Sequence, residues 1–529
     1  MNTSIQPEKP IDNKTNLKLR YTASLIGNFL RSLFLFLANL VLANKLGPGG
    51  YGDLNFLLTS FLSIKALLDL GTSAAFFTFI SEKKRSKRFY LYYLGWLLFQ
   101  FLFISLILVF ICPDSIKKLI WLGHPTILIL LAFFTSFTMN QLWEFANNTG
   151  ESIRDTVGIQ IRNVILSISY LITIYVISLS DLLSLQNLLI STTALYLVCG
   201  CLHLFRLKNR LFFLEEDAEK EDLLRMYVNY CSPLALTTFC SFLYTFLDNW
   251  LLQNFGGALE QGYFSIGWKF STIGLLATTA ILKVFWKEIA EASENNNQVK
   301  VNSIFFKTSR SLFCFGCSIC CFATFYSEEI LLFFVGKQFQ NAWLPMSLLL
   351  LYPIHQAVGQ ITTSYFQASG AVRTYRNIAI PVLLISLPIS YFVLASKVNT
   401  VPGLELGAAG LAGKLLVLNF ISVNIGLKVI QYKNGANSLP ILYQIALVFG
   451  FLSIAYFAKW LSLKVHLPFL AASEIALGLQ LTIAALIYIS FCCLILYRFP
   501  SIMGLNQHEF DEYLRKTKSF FNLNKSTRS

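Results

Sequence analysis

The chain has 529 residues, of which 55% are hydrophobic and only 13% charged, about half the charge fraction usual in soluble domains. That excludes an ordinary soluble globule and points to a polytopic membrane protein whose core is set by lipid. The net charge of +14 does not indicate nucleic-acid binding, because Lys and Arg concentrate in alternate loops, as topology signals do.

Residues 1–20 read as a polar, basic tail without a cleavable signal peptide. Apolar runs of bilayer-crossing length, about 20 residues each, are predicted over 21–43, 51–80, 89–112, 120–146, 157–178 and 182–205. A linker of mixed charge follows at 206–226. The pattern resumes over 227–255, 262–286, 303–325, 341–368, 377–396 and 407–430, with further runs at 437–459 and 473–497. A basic tail, 498–529, closes the chain, with a short amphipathic helix around Glu509–Phe521. The expectation is an all-α polytopic membrane protein with about 14 transmembrane helices. The basic runs Lys83–Arg88, Arg206–Arg225 and the tail after Arg498 all fall on one side. By the positive-inside rule both termini are then cytoplasmic, in a multi-pass protein of the inner (plasma) membrane.

A short pattern recurs at an offset of 210 positions. Asn39, Leu42, Asn44, Gly47 and Gly52 correspond to Asn249, Leu252, Asn254, Gly257 and Gly262. Asn148-Thr-Gly150 is echoed by Ala368-Ser-Gly370. The expected organisation is two six-helix parallel repeats, 21–225 with its linker and 227–431, followed by two additional helices at 437–497. No connecting loop is large enough for an extramembrane catalytic surface, and no phosphate-binding, nucleophile-elbow or zinc-ligand motif appears. An enzyme is not expected, nor a cofactor or metal. Cys314, Cys317, Cys320 and Cys321 share one apolar helix without His and read as small packing residues.

The chemistry rests on charges inside apolar spans, which are expensive there. Arg31 and Lys65 count to a similar depth near the midplane on neighbouring helices. Asp248 and Lys269 share a level in the outer third, and Lys283 and Lys414 lie in later spans. Arg162, Lys307 and Arg310 lie near cytosolic ends and are expected to snorkel. Asp69 stands four residues after Lys65, a spacing that lets the two neutralise each other. Asp248 and Lys269 are spaced to form a bridge across a hairpin. Arg31 has no acid within a turn, and a guanidinium suits bidentate phosphate contact. Asn28, Asn39, Asn140, Gln141, Glu144, Asn249, Gln356 and Gln360 supply polar groups for interhelical bonds or sugar hydroxyls. His355 reads as a packing residue. At the 210-residue offset Arg31 faces Ser241, Lys65 Leu275, Asp248 Ala38, Lys269 Thr59 and Lys283 Ser73, so none of these charges is duplicated.

Ala43-Asn-Lys-Leu-Gly-Pro-Gly-Gly-Tyr-Gly-Asp53 followed by Leu68-Asp-Leu-Gly71 resembles the first-hairpin signature of Wzx-type oligosaccharide flippases. These form the polysaccharide transport family of the multidrug/oligosaccharidyl-lipid/polysaccharide (MOP) exporter superfamily. Phe246-Leu-Asp248-Asn-Trp-Leu-Leu, Phe334-Val-Gly336-Lys-Gln-Phe and Leu406-Gly-Ala-Ala-Gly-Leu-Ala412 resemble further family segments in the same order. The resemblance implies a MATE/MOP-like fold and translocation of an undecaprenyl-diphosphate-linked oligosaccharide by alternating access. The repeat unit would belong to O-antigen, capsule or exopolysaccharide. Arg31, Lys65, Lys269 and Lys283 are then candidate diphosphate contacts, and Asp69, Asp248, Asn39 and Asn249 candidate cavity or coupling residues. Expected partners are the polyprenyl-diphosphate-linked glycan, membrane lipid, and a glycan polymerase and glycosyltransferases of the same pathway, with no nucleic acid. A multidrug/cation antiporter or a lipid II flippase of the same superfamily is the alternative, and a membrane glycan polymerase is further off.

Overall fold

A computed structural model describes residues 13–180, 182–208, 222–295, 297–435, 439–464, 474–512 and 515. Most of the expected linker, half of the second tail with most of its proposed amphipathic helix, and residues 1–12 therefore lie outside the described residues. So does the side chain of Lys283, whose backbone is helical. The described residues contain helices and no strand. Ten of the helices are long and apolar enough to cross a membrane, or eleven if one bent pair is counted as a single span. The protein is a multi-pass membrane protein.

The chain divides into two compact units. Unit 1 comprises residues up to Leu46 and Leu54–Phe246; unit 2 comprises Gly47–Asp53 and everything from Leu247 onward. Helix α1 (Asn13–Asp69) begins inside the stretch read as a polar tail. It runs through the first two expected spans and is interrupted at Gly47. In unit 1 it is followed by α2 (Thr72–Glu82) and α3 (Lys87–Leu106), then by the short α4 (Asp114–Ile120). Helices α5 (Thr126–Phe137) and α6 (Trp143–Ser152) are joined through a π-helical turn, Thr138–Leu142. Helices α7 (Thr156–Leu179), α8 (Leu185–Lys208) and α9 (Leu223–Cys231) follow. Their apolar faces are aromatic. Phe76 stacks on Tyr93 at 4.2 Å and on Phe89 at 5.9 Å between ring centroids, in a core with Phe79, Leu97 and Tyr227. Offset ring contacts of this kind add to what burial alone contributes. Arg85, in a basic run read only as a topology signal, is 2% exposed. Its Nε donates to the Phe79 carbonyl at 3.1 Å, and its guanidinium lies over the Phe89 ring.

Helix α10 (Ala235–Glu294) is the counterpart of α1, interrupted at Gly257. Unit 2 continues with α11 (Gln298–Phe325), α12 (Ser327–Phe334), α13 (Trp343–Ala368), α14 (Val372–Leu394) and α15 (Gly407–Asn434), and ends in α16 (Ile441–Lys464) and α17 (Glu474–Arg498). Cys314, Cys317, Cys320 and Cys321 pack into its core beside Ala455 and Tyr488. The residues expected to snorkel have partners. Lys307 bonds Glu509 at 2.5 Å, Arg310 lies over the Tyr443 ring at 4.4 Å, and Arg162 of unit 1 bonds Asp155 at 2.6 Å.

The echoed glycines share one backbone conformation. Gly47 has φ 68° and ψ 174°, and Gly257 has φ 72° and ψ −175°, a region that side chains resist. Pro48 then starts the next helical run, a position where its missing N–H costs nothing. Within unit 2 the two copies of the motif meet reciprocally. A Cβ on Gly52 would lie 1.9 Å from the Ala258 carbonyl oxygen, and one on Gly262 would lie 2.0 Å from the Pro48 carbonyl oxygen. Pro48 and Ala258 are themselves separated by the 210-residue offset. Only glycine permits so close a backbone contact.

Candidate functional site

The charges inside the spans are held differently from what linear spacing suggested. In unit 1 the Lys65 Nζ contacts Glu144 Oε2 at 2.8 Å, not Asp69. The π-helical turn just before α6 admits an extra residue per turn and so re-aims the face on which Glu144 stands. Asp69 is already committed. Its Oδ1 accepts from Thr72 Oγ1 at 2.8 Å and from the Ser73 N–H at 3.0 Å, and its Oδ2 accepts from Ser73 Oγ at 2.7 Å. It caps α2 across the Leu70–Gly71 break, where both residues have positive φ. A structural cap is what the structure gives Asp69, in place of a partner for Lys65.

Arg31 is half-buried on α1. It makes no hydrogen bond or ion pair among the described residues, and none joins it to Lys65. Its guanidinium lies within electrostatic range of the Tyr196 hydroxyl on α8. Asn39 turns back on its own helix, with Nδ2 donating to the Leu35 carbonyl at 2.7 Å.

In unit 2 the expected Asp248–Lys269 bridge is absent. Asp248 Oδ2 is met by Lys414 Nζ at 2.6 Å and Oδ1 by Ser390 Oγ at 2.5 Å. The triad joins α10, α14 and α15. The Lys414 side chain is fully buried and that of Asp248 is 7% exposed. Each oxygen of the carboxylate has a donor, which a buried charge requires. Lys269 is partly buried, and its ammonium makes no hydrogen bond or ion pair among the described residues. Around the Gly257 break, Asn249 Oδ1 accepts from Gln261 Nε2 at 3.0 Å, and Asp53 Oδ1 from Gln253 Nε2 at 2.8 Å. Glu260 receives the Ala408 N–H at 2.7 Å, placing a carboxylate at the N-terminus of α15 where the helix dipole favours it.

His355 packs between Phe313 and Phe420, with Nε2 3.2 Å from Gln444 Oε1. Sequence reasoning underrated Lys414 and Glu144 as partners. Both lie far along the chain from the residue they bind, and the only available signal was an unpaired opposite charge at matching depth.

The arrangement leaves a surplus of one sign. Asp69, Glu144 and Asp248 are each engaged by groups of their own unit, whereas Arg31 in unit 1 and Lys269 in unit 2 keep cationic heads without such partners among the described residues.

No family model matches the sequence, and no curated protein matches it. Solved structures do. The inward closed conformation of the lipid II flippase MurJ superposes with a TM-score of 0.63 at 16% identity, covering 89% of this chain and 98% of that one. An inward-facing multidrug resistance MATE-family transporter of the MOP superfamily gives 0.57 at 16%, covering 77% and 95%. A MOP-superfamily transporter from Pyrococcus furiosus gives 0.54 at 14%, covering 81% and 99%. The chain has the fold of the MOP-superfamily transporters.

Proposed function

We propose that the protein is a flippase that translocates an undecaprenyl-diphosphate-linked oligosaccharide across the cytoplasmic membrane by alternating access, as the Wzx-type resemblance implies. In this reading it has 14 transmembrane helices, two six-helix parallel repeats plus two, with both termini cytoplasmic. It receives its substrate from glycosyltransferases and delivers it to a glycan polymerase. The observation that carries the reading is the charge surplus. A diphosphate needs fixed cations in a medium of low dielectric, where charge-assisted contacts are strong. Arg31 supplies a bidentate fork, and Lys65, already held by Glu144, retains donors for a phosphate oxygen. Lys269 and Lys283 serve as later contacts. A cation antiporter needs the opposite, a carboxylate open to its cargo, and Asp248 is occupied by Lys414 and Ser390.

Arg31→Ala should abolish surface glycan and accumulate its lipid-linked precursor while protein level stays unchanged. Normal surface glycan in that variant overturns the assignment. A second reading, a lipid II flippase, is favoured by the likeness to MurJ over 89% of the chain. Depletion separates the two. Accumulated lipid II with lysis supports the second reading, and accumulated polysaccharide precursor in intact cells supports the first.

A further inference from the structure

Helix α13 has 26 residues, enough to cross a bilayer, yet it is not one of the ten apolar helices. Its second half carries Gln356, Gln360, Thr363 and Ser364. In unit 2 these side chains, with Asn419 and Ser422 of α15, line a cavity of about 420 Å³. That volume is in the range of small-ligand sites. None of the described residues lining it is charged.

The hydrogen bonds around the cavity leave groups to spare. The Tyr352 hydroxyl donates to Gln356 Oε1 at 3.0 Å, which pins the amide and leaves its NH₂ to donate. Asn419 Nδ2 donates to the Tyr352 carbonyl at 3.3 Å, which leaves Oδ1 to accept. The Ser422 hydroxyl, which can do either, makes no hydrogen bond among the described residues. Gln356, Asn419 and Ser422 are each part-exposed, so their spare donors and acceptors are open to a ligand in the cavity.

The mixture has a chemical meaning. A diphosphate prefers cations, and a lipid chain prefers apolar walls. Neutral donors and acceptors interleaved match the hydroxyl and acetamido groups of a sugar, each of which both donates and accepts. We propose that this cavity is the sugar-reading site, and that Gln356, Asn419 and Ser422 contact the glycan directly. The inference rests on the flippase reading and names a residue set for substrate specificity that is separate from the cationic residues.

The test uses the full-length protein in nanodiscs and two probes, undecaprenyl diphosphate and undecaprenyl-diphosphate-N-acetylglucosamine. Wild type should bind the glycosylated probe about tenfold more tightly or better, the scale of one or two good hydrogen bonds. Gln356→Ala and Asn419→Ala should each cut that preference about fivefold and leave affinity for undecaprenyl diphosphate unchanged. Arg31→Ala should weaken both probes alike. Ser422→Ala removes a single oxygen and should lower the preference less, and it decides the matter if the larger changes disturb folding. A preference that survives all three substitutions overturns the sugar site. Equal binding of the two probes by wild type overturns it too, while the diphosphate reading stands. Failure of wild type to bind either probe overturns both.

Discussion

The two units keep their charges in different ways. In unit 1 the Lys65–Glu144 pair is partly open, with side chains 18% and 43% exposed, and Arg31 has no hydrogen bond or ion pair among the described residues. In unit 2 the Asp248–Lys414–Ser390 triad is closed off from solvent. The same glycine-broken long helix occurs in both sequence halves, so the difference lies in the side chains added to the frame. Unit 1 holds its ion pair partly open, whereas unit 2 buries its ion pair and keeps Lys269 as a cation outside that triad.

The largest expected effect tests the closed triad. Lys414→Ala leaves a buried carboxylate without a counter-charge and should destabilise the protein by about 3–5 kcal/mol, read as a fall in melting temperature. The double change Asp248→Asn with Lys414→Met should recover most of that loss. A double variant as unstable as the single one would show that the two residues do not act as a pair. Next comes the frame. Gly52→Ala and Gly262→Ala should each cost about 1–3 kcal/mol through overpacking against backbone. Gly450→Ala in α16, where an added Cβ meets nothing within 4 Å, should instead stabilise by roughly 1 kcal/mol. Equal effects at all three positions would remove the case for a backbone contact.

Lys65→Met should cost less stability than Lys414→Ala, because the pair it breaks is the more open of the two, while glycan export falls. A loss matching that of Lys414→Ala would erase the contrast between the units. The smallest effect concerns the segment after α17. Pairing with Lys307 holds the Glu509 carboxyl below its usual range, so the contact contributes above that range and is lost as pH falls through the lowered value. Protection from hydrogen exchange at residues 507–512, taken relative to the intrinsic rate at each pH, should be higher at pH 7 than near pH 3, and low at both in Glu509→Gln. Identical exchange in wild type and variant at pH 7 would exclude the contact.

Much of the fold was legible because its causes are local. Apolar runs mark the spans, and Gly47 and Gly257 mark breaks that only glycine adopts readily. The partners of the charges were less legible. Asp69 was assigned to Lys65 by helical spacing, but the sequence Asp69-Leu-Gly-Thr-Ser73 also reads as a cap before a new helix, and the cap prevails. Lys269 was assigned to Asp248 because both stand at one depth on a hairpin. Depth leaves azimuth undetermined, and the side chain facing Asp248 comes from α15. The polar face of α13 was visible as Gln356 and Gln360, but Asn419 and Ser422 joined them only when α15 was packed alongside.

The Asp248–Lys414 pair carries a consequence for biosynthesis. Its members are 166 residues apart, so α10 emerges from the ribosome with a bare carboxylate in its apolar stretch. An unpaired Asp raises the free energy of insertion, by up to about 2.5–3.5 kcal/mol at a helix centre and by less in the outer third. At about 5–20 residues per second, the lysine that neutralises it is synthesised on the order of 10–30 s later. During that interval α10 has to be held by the translocon, by protonation of Asp248, or by neighbours already in place. The bond that finally locks α10, α14 and α15 together therefore also sets an order of assembly, in which unit 2 cannot close before α15 has entered the membrane.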